Sequence, residues 1–237
     1  MVTYLAFMWG DKEINVESTA ASYIYLHALK GIKEIKQHRI NIMIRTPNYQ
    51  DDKYWNEPQK FISDRFWVTP LPQAKGVITV MSGYDKPHYK TLNREQKISV
   101  QVNLIHDCLE FLFQYLNIDF EPIRYLKDKI IESNLNIDLP VKIKIKRQPK
   151  PRLSYKAELW VKPDFYSFDY YLILNEGQSK IRSLTFKGNF AYMLYESLIF
   201  HQMECSSNSI EIYSRDRKIV FCYTVATGEL EIKYIDM

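Results

Sequence analysis

Residues 141–147 read VKIKIKR, and this short stretch decides how the second half of the chain is predicted to fold. Its apolar residues alternate with lysines, which is typical of a β-strand with one buried face and one face in water. We expect Val141, Ile143 and Ile145 to be buried in a sheet and the intervening lysines to be solvated. The stretch therefore predicts an amphipathic strand.

The same period of two continues to the end of the chain. Six further segments alternate in this way and are joined by short turns: RLSYKAELWVK (152–162), DYYLILN (169–175), KIRSLTFK (180–187), SIEIYSR (209–215), KIVFCYT (218–224) and ELEIKYI (229–235). One helix is predicted over Asn189–Met203, where the apolar residues follow helical spacing. Region 141–237 is therefore predicted to form a mostly antiparallel sheet of about six or seven strands with one packed helix.

Region 1–136 predicts a mixed α/β half. Strands are expected at VTYLAFMW (2–9), RINIMIR (39–45) and GVITVM (76–81). Helices are expected at 17–30, with Ser18 as its cap, around 59–66, from Asn93 to Leu116 and at 121–133. The longest of these begins at a capping box formed by Asn93 and Gln96. The chain as a whole is assigned to the α+β class, either as two domains or as one continuous domain.

Cysteine usage and hydropathy indicate a compartment. The chain has three cysteines, an odd number that favours reduced thiols over a disulfide framework. The N-terminus lacks the basic region of a secretory signal, and no apolar run reaches the length that spans a bilayer. We expect a cytoplasmic protein with no membrane partner. The bias towards 26 isoleucines and 22 lysines, against 8 alanines, indicates an AT-rich genome, and hence a low-GC bacterium or its phage.

A basic segment is the sharpest functional signal. Residues 141–157 carry seven basic groups and no acid, so the rest of the chain has a net charge of −3 against +4 for the whole. One interpretation is a solvated strand face whose lysines protect a sheet edge. The other is a nucleic-acid surface, in which rings near the cations stack on unpaired bases. The residues proposed for binding are Lys142, Lys144, Lys146, Arg147, Lys150, Arg152, Tyr155 and Trp160.

Enzyme signatures are mostly missing from the sequence. Neither phosphate-loop nor dinucleotide-binding glycine patterns occur, and HExxH and GxSxG are absent. Asp164 together with Glu231 and Lys233 resembles the acidic pattern of a metal-dependent nuclease, but the acid-x-Lys pattern occurs five times in the chain. His201 and Cys205 are only two potential ligands, whereas zinc requires three or four. We therefore predict no catalytic residue, metal or cofactor, and keep a metal-dependent nuclease as a minor alternative.

Aromatic composition favours a protein partner. The chain has 18 tyrosines and 4 tryptophans, which provide large contact areas at low entropic cost. Tyr54 and Trp55 lie in an aromatic stretch, 49–67, that is interrupted by a proline and is a candidate binding loop. The predicted function is a non-enzymatic protein-binding protein: an immunity or inhibitor protein, or an accessory protein of antiviral defence. Nucleic-acid binding through 141–156 is the alternative.

Overall fold

The structure, a computed structural model, confirms the α+β class. It describes residues 2, 4–8, 12–37, 39–45, 61–62, 66–70, 76–141, 143–147, 153, 155–165, 168–176, 179–188, 200–214 and 219–234. The chain divides into two compact units. Unit 1 comprises residues 1–137 and 163–166, and unit 2 comprises residues 138–162 and 167–237.

Unit 1 contains five strands and five helices among the described residues. The strands are β1 (Tyr4–Met8), β2 (Arg39–Arg45), β3 (Phe61–Ile62), β4 (Phe66–Pro70) and β5 (Val77–Gly83). The helices are α1 (Lys12–Glu17), α2 (Thr19–Leu29), α3 (Lys86–Thr91), α4 (Arg94–Leu116) and α5 (Leu126–Glu132), with a 3-10 turn at Glu121–Ile123.

The sheet of unit 1 has the order β1-β2-β5-β4-β3. β1, β2 and β5 run parallel, whereas β4 and β3 are antiparallel to their neighbours. Parallel strands are usually covered on both faces, and the five central residues of β5 are all buried. This explains why GVITVM reads as one apolar run without alternation.

Helix α4 packs against β5, β4 and α2. Its buried face includes Ile98, Val102, Ile105, Leu109 and Leu112, which recur at the three- and four-residue spacing predicted from the sequence. The predicted capping box is present, because the Asn93 side chain accepts from the Gln96 N–H and the Gln96 side chain accepts from the Asn93 N–H. The helix ends at Leu116 and is followed by its C-cap, Asn117, whose φ of 52° is left-handed.

Unit 2 consists of two sheets. Its nine described strands are β6 (Leu139–Pro140), β7 (Lys144–Arg147), β8 (Tyr155–Pro163), β9 (Phe168–Glu176), β10 (Ser179–Gly188), β11 (Phe200–Cys205), β12 (Ser209–Ser214), β13 (Ile219–Thr224) and β14 (Leu230–Tyr234). The four-stranded sheet has the order β10-β9-β8-β6, and the five-stranded sheet has the order β14-β13-β12-β11-β7. The second half is thus two sheets, where the sequence predicted one.

The helix predicted over Asn189–Met203 is wrong at its C-terminal end. Phe200–Met203 belong to β11, and residues 189–199 lie outside the described residues. A β-bulge between Phe200 and Gln202 shifts the register against β12, so the buried Phe200 and Met203 are three residues apart. This spacing equals that of one helical turn, so the apolar residues of this segment do not show the simple alternation of a strand.

Three smaller predictions are also corrected. In the helix predicted around Gln59–Phe66, residues 61–62 form β3 and Phe66 begins β4, and the other residues lie outside the described ones. The helix predicted at 121–133 is broken into a 3-10 turn and α5. Ser18 occupies the N-cap position of α2 as predicted, but its side chain accepts no capping hydrogen bond, and its hydroxyl donates to the Asn15 carbonyl in α1.

The capping box gives a test of the local energetics. Replacing Asn93 with alanine removes the acceptor for the Gln96 N–H, and we expect the free energy of unfolding to fall by about 1 kcal/mol. Urea unfolding followed by circular dichroism measures this change. Gln114→Ala, at an exposed position of the same helix, is the control and should change stability by less than about 0.5 kcal/mol. Equal losses in both variants would contradict the capping role.

Candidate functional site

The outer strand of the five-stranded sheet, β7, carries the described part of the basic segment. It pairs in parallel with β11, with Lys144 opposite Gln202, Ile145 opposite Met203 and Lys146 opposite Glu204. Among the described residues, no strand pairs with the other side of β7. The predicted lysine-bearing strand is therefore an edge strand, with one row of backbone groups left unpaired by the described sheet.

The strand register creates two neighbouring rows of side chains across all five strands of this sheet. Residues directly opposite each other on adjacent strands share a face, and successive residues alternate between faces. The apolar row is Ile145, Met203, Ile212 and Phe221, and Ile232 of β14 pairs with Phe221. The charged row is Lys146, Glu204, Glu211, Cys222 and Glu231.

Ile145 is the exposed end of the apolar row. Met203, Ile212 and Phe221 are buried, whereas Ile145 is 41% exposed, which makes it one of only two large apolar residues described as exposed. The predicted burial is therefore wrong for Ile145, and Val141 and Ile143, which precede β7, are only half-buried. The position of Ile145 explains the difference. Because β7 is the outermost described strand of the sheet, no described neighbouring strand lies beside Ile145 to cover it.

Both described lysines of β7 are exposed, but their surroundings differ. Lys146 lies 3.3 Å from the Glu204 carboxylate, measured from Nζ to Oε1. Lys144 faces the amide side chain of Gln202 across the ladder and has no ion pair among the described residues. The Gln202 amide in turn donates to Glu204. Positive charge is therefore confined to the edge, and a carboxylate stands immediately behind it.

The charged row becomes acidic away from β7. Glu211 accepts a hydrogen bond from the Tyr213 hydroxyl, and burial together with this bond raises the pKa of Tyr213. Burial and the nearby Glu211 raise the pKa of the Cys222 thiol, even though Lys233 opposes the shift. A raised pKa keeps the thiol protonated at neutral pH, and only the thiolate is strongly nucleophilic. The charged row therefore contains carboxylates and a protonated thiol of low reactivity, and not an activated nucleophile.

The remaining predicted binding residues are placed as follows. Arg147 lies on β7 opposite Cys205, and its side chain is not described. Tyr155 is buried in β8, where its hydroxyl donates to the carbonyl oxygens of Ser206 and Ser209, so its ring belongs to the core. Trp160 is half-buried, and its indole N–H donates to Glu158 at 3.1 Å. Five predicted residues lie outside the described ones: Lys142, Lys150, Arg152, Tyr54 and Trp55.

A buried polar network in unit 1 was missed by the sequence analysis. Glu17, at the end of α1, accepts a hydrogen bond of 2.9 Å from the Tyr89 hydroxyl and an ion pair of 2.8 Å from Lys97. Gln101 donates to the same tyrosine hydroxyl, and the Lys97 ammonium lies 5.3 Å from the centre of the Tyr89 ring. Within the described residues, Gln101 Oε1 and Ser82 Oγ are buried without a hydrogen-bond partner.

This network links α1, α3 and α4, and both carboxylate oxygens of Glu17 are engaged. The bonds from the lysine and the tyrosine compensate for the desolvation of the carboxylate, as is usual for buried charges. One sequence signal for it existed, because Gln101 lies three residues after Ile98 and four before Ile105, on the apolar face of the predicted helix. A polar residue at such a position indicates a buried hydrogen bond.

A second buried pair joins α2 to α4. The Tyr25 hydroxyl lies 3.0 Å from Nδ1 of His106, and the imidazole also packs edge-on against Phe120 at 4.9 Å between ring centres. Burial and the Lys127 charge lower the pKa of His106, outweighing the opposing effect of Asp107, Glu110 and Asp128. Burial raises the pKa of Tyr25. Both groups are therefore neutral near pH 7, with the hydroxyl able to donate to the imidazole.

The residues of the nuclease pattern are engaged elsewhere. Asp164 belongs to unit 1 and forms an ion pair with Arg94, whose guanidinium also lies over the Phe165 ring. Glu231 belongs to unit 2 and pairs with Lys233 at 3.3 Å. No group of three or more metal-ligating side chains occurs among the residues that the structure describes. The structure therefore offers no described ligand set for this chemistry.

No similarity to a known protein identifies the site. The chain matches no protein-family model, and no curated protein or solved structure resembles it significantly. Among the described helices, none has both the length and the apolar character needed to cross a bilayer. Several described strands are outer strands of their sheets, and β7 is the one that carries the exposed Ile145 between two exposed lysines.

The Glu17 network predicts strong coupling between its members. Lys97→Met leaves a buried carboxylate without its cation, and we expect a loss of about 3 kcal/mol in the free energy of unfolding. Glu17→Gln combined with Lys97→Met should recover part of this loss, because the amide still accepts the Tyr89 hydrogen bond. Chemical unfolding of all variants measures the effect. Lys129→Met, at an exposed position of α5, is the control, and a loss there as large as in Lys97→Met would contradict the coupling.

The lowered pKa of His106 predicts a loss of stability in acid. Below the usual value of 6.5 the unfolded chain binds a proton that the folded chain resists, so the free energy of unfolding falls as the pH drops towards the folded pKa. Urea unfolding at pH 7.5 and pH 5.0 measures the decrease. His106→Gln should show a smaller decrease than the unmodified chain, whereas His88→Gln controls for removing an exposed imidazole. An unchanged decrease in His106→Gln would refute the assignment.

Proposed function

We propose that this chain is a non-enzymatic protein-binding protein that contacts its partner through the open edge of β7. The single observation that carries the proposal is the exposure of Ile145 between two exposed lysines on an outer strand. Exposed apolar residues framed by polar ones are common at protein contact sites. Native edge strands are usually protected against such contacts, so an apolar residue left accessible there is notable.

The charge distribution favours a protein over nucleic acid. A protein that binds nucleic acid neutralises the phosphates with several lysine or arginine side chains spread along the path of the strand. Behind Lys146, however, the charged row presents the carboxylates of Glu204, Glu211 and Glu231, which would repel a phosphate backbone laid across the sheet. The cations of the described edge instead suit a narrow acidic surface that approaches from the side. The buried ring of Tyr155 also removes one of the stacking platforms that nucleic-acid binding would use.

The biological setting that fits this proposal is neutralisation of another protein. An immunity or inhibitor protein, or an accessory protein of antiviral defence, acts by covering a surface of its partner. A sheet edge with one exposed apolar residue and two flanking cations provides such a contact surface. The composition adds a cytoplasmic setting in a low-GC bacterium or its phage to the proposal.

The test uses the protein encoded by the gene adjacent to that of this chain. Genes for immunity and inhibitor proteins are commonly placed beside those of their targets, so we expect the two purified proteins to form a defined complex. Size-exclusion chromatography with light scattering measures its stoichiometry. Ile145→Glu should weaken the complex by about tenfold or more, because it places a charge where an apolar contact is lost.

Two results would contradict the proposal. One is the absence of any complex with the adjacent gene product. The other is tight binding of a single-stranded oligonucleotide whose affinity falls steeply between 50 and 200 mM salt, which is the behaviour of phosphate recognition. Ser207→Glu, at an exposed turn position after β11, is the control and should leave the complex unchanged.

A further inference from the structure

We infer that the partner adds a β-strand to the edge of β7, and that this strand carries acidic, apolar and acidic side chains in alternation. This inference rests on the proposed function and names the chemistry of the partner. In strand addition, main-chain hydrogen bonds provide affinity, and alternate side chains provide specificity. The described edge offers both kinds of contact along one strand.

The backbone of β7 has the conformation and the pairing that strand addition requires. Its four residues are in extended conformation and are already hydrogen bonded to β11 on one side. In a strand with one neighbour, the backbone N–H and C=O groups that point away from that neighbour are available to a second strand. The described residues place no strand there. An incoming strand would therefore become the sixth strand of this sheet.

The register of β7 fixes which side chains the incoming strand must carry. A residue opposite Ile145 would extend the apolar row, in which Met203 and Ile212 are already buried, and an apolar side chain there would cover Ile145. Residues opposite Lys144 and Lys146 would lie on the other face of the sheet, the first in line with Gln202 and the second in line with the charged row. Opposite charges facing each other across a ladder are stabilising, so these two positions favour Glu or Asp.

A second copy of this chain is a poor occupant of the same edge. Antiparallel pairing of two β7 strands centred on Ile145 would put Lys144 of one copy opposite Lys146 of the other, twice. Like charges in direct opposition destabilise a strand pair. The same two lysines therefore disfavour pairing with a second copy of the chain and favour pairing with an acidic strand.

Two synthetic peptides of equal length test the inference: one alternates Glu with Val and the other alternates Lys with Val. Fluorescence anisotropy of the labelled peptides measures their binding to the full chain. We expect the acidic peptide to bind and the basic peptide not to bind. In the Lys144→Glu/Lys146→Glu variant the preference should reverse, with the acidic peptide losing about tenfold or more in affinity. Replacing the central Val of the acidic peptide with Pro should also weaken binding, since Pro lacks the N–H donor.

Lys233→Glu is a closely matched control. Lys233 lies on β14, the opposite outer strand of the same sheet, and its side chain is 53% exposed, against 51% for Lys146. Each lysine also pairs with a glutamate at 3.3 Å. The inference requires that Lys233→Glu leave peptide binding unchanged. An equal loss in this variant would show that only net charge matters and would overturn strand addition.

Other outcomes separate this inference from the proposed function. If the adjacent gene product binds the Lys144→Glu/Lys146→Glu variant as tightly as the unmodified chain, strand addition at β7 is wrong, although protein binding stands. If a single-stranded oligonucleotide displaces the acidic peptide with equal affinity, the edge recognises charge alone and the inference fails. Self-association of the unmodified chain that Ile145→Glu abolishes would assign the edge to a second copy and would likewise overturn it.

Discussion

Parallel pairing of β7 with β11 is the constraint on which the character of the candidate site depends. It places Ile145 in line with Met203 and Lys146 in line with Glu204, and so joins the basic segment to one apolar and one charged row. A shift of one residue would exchange the two faces, putting lysines against the core. The apolar side chains of β11, β12 and β13, which are buried, hold this register. The exposed chemistry of the edge is therefore set by packing on the other face of the sheet.

The buried and half-buried polar groups have different surroundings in the two units. In unit 1, Glu17, Tyr89, Lys97 and Gln101 bond to one another, and all of them except Lys97, whose side chain is 17% exposed, are buried. Such a network stabilises the packing of helices and is costly to disturb. In unit 2, the carboxylates of the charged row remain partly accessible, and their negative charge limits the reach of the basic edge. The same types of residue thus support the fold in one unit and define a surface in the other.

Charge counted along the sequence overstated the basic character of this surface. Seven cations without an acid within 141–157 suggest a polyanion site as long as only that segment is considered. Glu204 lies 58 residues after Lys146 in the chain but 3.3 Å from it in the structure. Pairing between strands that are distant in sequence places the Glu204 carboxylate beside Lys146. The described surface available for binding is therefore small, and it consists of one apolar residue between two lysines.

The sequence by itself determined the α+β class, most of the strands after residue 140 and the long helix with its capping box. These features depend on local periodicity and on contacts within a few residues, which a sequence displays directly. The tertiary structure alone decided that Phe200–Cys205 form a strand, because its parallel pairing with β7 joins segments that lie far apart in the chain. It also decided that Ile145 is exposed, since alternation shows which residues share a face but not which strand lies at the edge of the sheet. That depends on the order of strands in space, which is set by contacts between segments far apart in the chain.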